Sequence, residues 1–439
     1  MTSVSRRKML VTASVGLAAV SSQAHSMGRT STFKFPKDFW WGAATAGHQV
    51  EGNNTNSDSW FVEHLERSPY AESSGDACDF YNRFEQDIAL LAKLGLNTFR
   101  FSLEWSRIEP AKGEFSEVQL NHYRKVAATC REHGVRPMVT FNHFTAPLWF
   151  AKLGGWENPD APVLFERYCA RAVRAVGDLA AAAATFNEPN INALLRWIGL
   201  PPFVTDGMRQ GLEAAAKAAN VPVFSSIPLA EPERIEAQML KAHGLAFAAI
   251  KAGAPNLPVG VTLAISDDQA VGDSVQRDRK RAALYTSWLE AAKQHGDFLG
   301  VQTYGRTRLD ANGIMPVPEG AELTQMGEEF YPQALEQTIR YAYAATGKPI
   351  YVTENGVATD DDSRRIAYID IALAGVRNCL RDGIPVKGYI HWSLLDNFEW
   401  TFGYAKHFGL VAVDRATQVR TVKGSALHFA RIARRNAIG

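Results

Sequence analysis

Thr185-Phe186-Asn187-Glu188-Pro189 and Tyr351-Val352-Thr353-Glu354-Asn355-Gly356 decide the reading of this chain. Each sets one glutamate at the end of a short apolar, β-rich run. Each glutamate has an asparagine beside it and a conformational punctuator, Pro189 or Gly356, close behind. The two segments lie far apart in sequence, so only a closed fold brings them together. Two facing glutamates at strand ends equip a site for double displacement at an anomeric carbon: one attacks, and the other first donates and later accepts a proton.

Outward from these segments the chain keeps a rhythm. Strand-like runs occur at 39–46, 98–105, 136–144, 183–188, 259–265, 298–304, 349–354 and 387–393. Amphipathic helical patterns fall between them, at 80–94, 121–133, 163–176, 233–252, 284–294, 332–346 and 366–381. Strands spaced by helices predict a parallel sheet. Eight of them predict an α/β fold of one closed (β/α)8 TIM barrel, with the active site at the C-terminal ends of the strands. An open nucleotide-binding sheet is the rival, but the turn Trp41-Gly42-Ala43-Ala44-Thr45-Ala46-Gly47 lacks the GxGxxG spacing, and no P-loop is present. No internal repeat is visible; the Ala-rich run 179–184 reads as close packing beside a strand.

Polar residues recur at equivalent places on these runs. Gln49 follows the first, Arg100 lies in the second and His143 ends the third. Asn187 and Glu188 end the fourth, Tyr304 the sixth, Glu354 the seventh and Trp392 the eighth. A retaining mechanism wants the carboxyls roughly 5–5.5 Å apart, with the nucleophile ionised and the acid protonated. Arg100 and Tyr304 are the expected donors to Glu354. Sugars also need flat aromatic faces and fork-shaped polar groups. The tail His391-Trp392-Ser393-Leu394-Leu395-Asp396-Asn397-Phe398-Glu399-Trp400 offers both. Phe398 reads equally well as core.

The chain has 439 residues, 46% of them hydrophobic and 21% charged, with a formal charge of +1. That suits one large barrel with insertions. Residues 1–24 read as a twin-arginine-like signal peptide: Ser5-Arg6-Arg7-Lys8, a mildly apolar run 11–20, and a small-residue end at Ser22-Gln23-Ala24. Residues 25–34 are expected as linker and 35–439 as the catalytic barrel. Cleavage after Ala24 takes three positive charges and no acid from the formal +1, leaving −2. Nothing in that charge favours nucleic acid or an anionic membrane, and no run is long enough for a span. Export permits disulfides, but Cys78, Cys130, Cys169 and Cys379 declare no pairing and show no zinc-type spacing.

The chain resembles glycoside hydrolase family 1, the β-glucosidase family, from about Phe35 to Lys423. The resemblance rests on ordered blocks: Phe39-Trp40-Trp41-Gly42-Ala43-Ala44-Thr45-Ala46 with Gln49 and Glu51-Gly52; Ser74-Gly75-Asp76 with Tyr81 and Asp87-Ile88; Arg100-Phe101-Ser102 with Trp105-Ser106-Arg107-Ile108; both glutamate motifs; and Phe408-Gly409-Leu410 with Val413-Asp414. It implies that Glu188 is the acid/base and Glu354 the nucleophile, with Arg100 and Tyr304 orienting Glu354. It further implies that Gln49, His143, Asn187, Glu399 and Trp400 hold the sugar and that Trp392 lies beneath it. No metal or organic cofactor is implied.

Three departures stand out. His48 replaces a common tyrosine, Phe144 follows His143 where the family has tryptophan, and Gln302-Thr303-Tyr304 replaces Asn-Tyr-Tyr. The phospho-sugar branch carries Ser at Glu399 and Tyr at Phe408, and a carboxylate at Glu399 repels a phosphate. The expected reaction is therefore exo-acting hydrolysis of unphosphorylated β-glucosides, with galactosides and fucosides also accommodated; the partner is a small-molecule glycoside. Transglycosylation at the same site and non-enzymatic sugar binding are the alternatives. Relatives of the binding type usually lose one glutamate, and both are present here. The acceptor side is expected from loops 200–232 and 306–330; aglycone, linkage and oligomeric state stay open.

Overall fold

The computed structural model describes residues 32–197 and 202–439. Eight strands run β1 Trp40–Ala44, β2 Thr98–Ser102, β3 Arg136–Asn142, β4 Ala182–Asn187, β5 Val259–Ala264, β6 Phe298–Gln302, β7 Ile350–Glu354 and β8 Val386–Trp392. They close into one barrel in chain order, each parallel to its neighbours, with β8 returning to β1 through Gly388↔Trp40 and Trp392↔Ala44. All eight expected strands are present; seven end a residue or more before their apolar runs because the final residues bend into the site loops, and β7 starts one residue late. The open-sheet rival is excluded by this closure.

Eight helices pack outside: α1 Phe80–Leu94, α2 Glu117–Glu132, α3 Ala161–Val176, α4 Pro232–Gly253, α5 Ser287–Gln294, α6 Ala334–Thr346, α7 Asp362–Arg381 and α8 Gly424–Arg435. Each buries one stripe. In α1 the stripe is Phe84, Ile88, Leu91 and Leu94 at helical spacing, and Gly95 ends the helix at φ +87°, a conformation glycine adopts without strain. Four helices begin earlier than the apolar pattern alone predicts, α2 and α7 by the widest margin. Ser116 accepts from the Gln119 amide ahead of α2, and Asp361 accepts from the Ser363 amide ahead of α7, so polar capping residues set those starts.

Two apolar layers result. Between strands and helices lies the main core, including Trp41, Phe99, Trp105, Phe165 and Phe186. Inside the barrel a smaller plug of Trp40, Met138, Phe298, Tyr351 and Ile390 fills the N-terminal end, with Tyr351 ring centroids 4.8 Å from Trp40 and 5.0 Å from Phe298. The opposite end is therefore the one left open for a site. The alanines 182–184 are fully buried, as close packing required.

The ends of the described chain meet under the barrel. Phe33–Lys34 pairs antiparallel with Ala437–Ile438, and the Trp41 indole donates to Asn436 Oδ1 at 2.8 Å. Residues 33 and 34, expected in a linker, are thus part of the folded unit because their amides find partners on the C-terminal strand. The signal peptide and the first part of the linker lie outside the described residues. The four cysteines are buried and unpaired.

Candidate active site

Every site residue expected from sequence lies at the C-terminal mouth of the barrel, and most line one cavity of about 560 Å³. Arg100 sits beneath its floor, fully buried. Its guanidinium spreads across three strands. Nη1 donates to Glu354 Oε1 at 2.6 Å, Nη2 to Asn187 Oδ1 at 2.6 Å, and Nε to Thr140 Oγ1 at 3.1 Å. A buried guanidinium is stable only when its donors are all used this way. Thr140 and Thr262, the latter 3.4 Å from Nη2, were not singled out from sequence. The signal that could have found Thr140 is a hydroxyl on an apolar strand next to the arginine's own; Thr262, three strands away across the barrel, has no such local signal.

Glu354 is held from both oxygens: Tyr304 donates its hydroxyl to Oε2 at 2.7 Å, opposite Arg100 on Oε1. Glu188, equally buried, has no side-chain hydrogen bond among the described residues. It follows the last residue of β4, at φ +41°, a conformation uncommon for a side-chain-bearing residue and typical of functional sites. Burial raises both carboxyls above the usual range. At Glu354 the Arg100 charge, the Tyr304 hydroxyl and the Gln302 amide oppose that rise. At Glu188 the neighbouring Glu354 adds to it, and only the more distant Arg100 opposes. Glu188 is therefore the group that keeps its proton, and Glu354 the one that ionises.

The departure at Gln302 resolves simply. Its Nε2 donates to Asn187 Oδ1 at 2.9 Å, where Arg100 also donates. Arginine can only donate, so Asn187 must turn its oxygen inward and its amide toward the cavity. Arg100 thus orients Asn187, and the longer glutamine adds a second donor to the same oxygen while its own Oε1 is buried and unpartnered.

Opposite lie the sugar-holding candidates. Gln49 Nε2 is anchored to Phe398 O at 2.7 Å, Asn397 Oδ1 at 3.2 Å and Glu399 Oε2 at 3.3 Å, while Gln49 Oε1 is buried with no partner. His143 Nδ1 is likewise orphaned, and burial followed by the Arg100 charge keeps the ring well below its usual pKa, hence neutral. Unpartnered buried acceptors around one cavity call for a ligand with donors, as a polyol supplies. The rings of Trp392, His143, Trp400 and His48 form a stack, with successive centroids 5.9, 6.1 and 5.7 Å apart and planes within 23° of parallel. His48 at its end is fixed by Glu63 at 2.6 Å. Phe398 is core: it is fully buried against Tyr70 and Tyr404 and contributes only its carbonyl.

Burial, then the Glu354 charge, raises Glu399 to about 8, against the pull of Gln49. It is therefore largely protonated at neutral pH. The repulsion assigned to it from sequence therefore falls to ionised Glu354. Loop 306–330 borders the cavity as expected. Of loop 200–232, only Pro228 does among the described residues. The helix Pro202–Ala219 instead turns Ala215 into a separate apolar cluster with Val62, Tyr70 and Phe224, and the helix Ile191–Trp197 takes its place at the cavity wall.

A closed barrel with an arginine-held carboxylate facing a protonated carboxyl over an aromatic floor defines a glycoside hydrolase. The chain belongs to glycosyl hydrolase family 1, whose model matches residues 31–321 and 311–438. It is 30% identical over 462 residues to a β-glucosidase of Agrobacterium sp., covering 92% of this chain and 96% of that one. It is also 30% identical to a bifunctional β-D-glucosidase/β-D-fucosidase of Bifidobacterium breve, covering 90% and 97%. The solved apo structure of a β-glucosidase superposes with a TM-score of 0.88 at 46% identity, covering 90% of this chain and 98% of that chain.

Proposed function

We propose that this enzyme is a retaining, exo-acting β-glucosidase that hydrolyses unphosphorylated β-glucosides, with β-galactosides and β-fucosides as secondary substrates. The observation that carries the mechanism is the unequal treatment of two buried carboxyls. Glu354 receives donors on both oxygens, and Glu188 receives none among the described residues.

Ionised Glu354 attacks the anomeric carbon as the glycosidic C–O bond breaks, and Glu188 passes its proton to the departing oxygen. The glycosyl-enzyme then carries no charge at Glu354, so the Glu188 pKa falls. Glu188 takes a proton from water as that water attacks the anomeric carbon, and the Glu354 carboxylate departs. Asn187, Gln49 and His143 supply the polar contacts, and the Trp392 ring supports the sugar's C–H face. Glu399, protonated, can donate to or accept from an axial or equatorial hydroxyl, which supports tolerance of galactose.

The reading of an unphosphorylated substrate draws on ionised Glu354, whose charge repels a phosphate in the same cavity. The names of the relatives support glucosides and fucosides.

The test is phenol release from aryl β-D-glucoside, galactoside, fucoside, mannoside and 6-phosphoglucoside, with Glu354→Gln alongside. The glucoside is expected to lead and Glu354→Gln to release nothing. Comparable turnover of the 6-phosphoglucoside, or an active Glu354→Gln protein, overturns the corresponding part of the reading.

A further inference from the structure

Two of the three departures noted in the sequence, His48 and Phe144, flank one ring. The His48 imidazole stacks on Trp400 with centroids 5.7 Å apart and planes 13° from parallel, and Phe144 meets the same indole edge-on at 5.1 Å. Trp400 lines the cavity and His48 does not. The His48 side chain is fully buried behind it, so it reaches the sugar only through its neighbours.

The imidazole is pinned at both nitrogens. Nε2 lies 2.6 Å from Glu63 Oε1, and Nδ1 lies 3.3 Å from Asn54 Nδ2. Asn54 cannot turn over. Its Oδ1 accepts from the Ser106 hydroxyl at 2.7 Å, and its Nδ2 also donates to Glu104 Oε2 at 2.7 Å. Glu104 accepts again from the Thr145 hydroxyl and the His48 amide. The pattern makes Nδ1 an acceptor and Nε2 the donor to Glu63. A tyrosine at this position carries one polar atom, where the imidazole serves two partners. The second oxygen of Glu63 holds the loop that carries Trp400. It accepts from the Ser74 amide at 2.9 Å and the Ser74 hydroxyl at 2.8 Å, and the Tyr404 hydroxyl donates to the Ser74 carbonyl. Tyr404 follows the turn that Glu399 N closes on Gly403 O at 2.6 Å. The ring behind Trp400 and the loop bearing Trp400 thus hang from one carboxyl group.

We propose that His48, locked by Glu63 and Asn54, is a positioning residue that sets the plane of Trp400 and with it the enzyme's hold on the glucosyl unit. The inference rests on the β-glucosidase reading above. Trp400 sits at φ +48°, a conformation that side-chain-bearing residues rarely adopt, so its place is imposed by its surroundings. Of its two imidazole neighbours, His143 leaves Nδ1 unpartnered, whereas His48 is held at both nitrogens. A ring held at both nitrogens cannot swing about its Cβ–Cγ bond, and its flat face stays against the indole.

The experiment is a double-mutant cycle on kcat/KM for an activated aryl β-D-glucoside, run with the full enzyme as wild type, His48→Gln, Trp400→Ala and the double variant. Glutamine can reach Glu63 with its amide N–H and offer its oxygen to Asn54, so it keeps both bonds and loses the flat face. His48→Gln is expected to lower kcat/KM about threefold to tenfold, the worth of one aromatic stack. In the Trp400→Ala background the same change is expected to cost less than about twofold, because the indole it acts through is gone. Glu63→Gln turns an amide donor toward the Nε2 proton while still accepting from Ser74, and is expected to follow the same pattern. A His48→Gln enzyme as active as wild type, or losses that multiply in the double variant as independent damage would, overturns the proposal. Should His48→Gln not fold, the same cycle with Glu63→Gln decides it. Wild-type turnover beside multiplying losses refutes only the positioning role, and silence of the wild type on every glucoside refutes both readings.

Discussion

At the scale of single residues, the site works by giving one carboxyl donors and denying them to another. Tyr304 is the decisive donor that can be removed without leaving a buried charge unpaired, because Arg100 keeps its bond to Glu354. Removing a hydrogen bond to the charged form raises the pKa of Glu354, which must be ionised to attack. In Tyr304→Phe the acidic limb of the kcat/KM profile should therefore move to higher pH, by about one unit, with a loss of about tenfold to a hundredfold at the optimum. A pH–rate profile checks this; an unmoved acidic limb would show that Tyr304 does not tune Glu354. Both glutamates and Arg100 were legible in the sequence because charged groups at apolar strand ends are costly without a role. Thr140 and Thr262 were not, because a threonine in a strand is ordinary until an arginine is seen to lie across it.

Among the elements, the loop after β8 sets Glu399 and Trp400 facing Gln49 and the ring stack. Glu399 illustrates how such an element trades stability for a site. Its pKa rises from the ordinary 4.5 to about 8 on folding, first through burial and then through the Glu354 charge. An acid whose folded pKa is raised favours the fold fully below its unfolded value and loses that favour as pH rises through the folded value. Replacing it by the neutral isostere, Glu399→Gln, should raise the melting temperature relative to wild type at pH 8–9, with the difference shrinking toward pH 4.5, while sugar affinity falls. Thermal scans across pH decide it, and a pH-independent difference would point to packing instead of ionisation. The helix expected at 284–294 shows the limit of periodicity. It is preceded by Val275–Arg281 and a π turn at Ala282–Thr286, around the buried Lys280–Asp268 pair. The pairing partner lies on another element, so no local pattern predicts it.

For the whole molecule, closure is the governing event. The barrel is complete only with β8 returned to β1, and Ala437–Ile438 pairs with Phe33–Lys34 beneath it. We propose that the paired Arg6-Arg7 marks a twin-arginine signal, a reading that rests on the sequence. Substituting Arg6→Lys and Arg7→Lys together should leave the protein in the cytoplasm at full length, whereas wild type should be recovered outside it with a mass matching cleavage after Ala24. Cell fractionation with mass measurement tests this, and export of the doubly substituted protein would refute the twin-arginine reading.

The sequence by itself determined the eight-strand rhythm, the identity of the two glutamates, and most of the residues around them, because hydrophobic periodicity and strand-end polarity are local properties. Tertiary structure alone decided how those residues share protons and partners. That Arg100 turns the Asn187 amide toward the cavity, that burial and the Glu354 charge raise Glu399, and that the outer wall of the cavity is largely apolar all depend on groups brought together from distant strands and loops. Burial and proximity set those properties, and neither exists until the barrel closes.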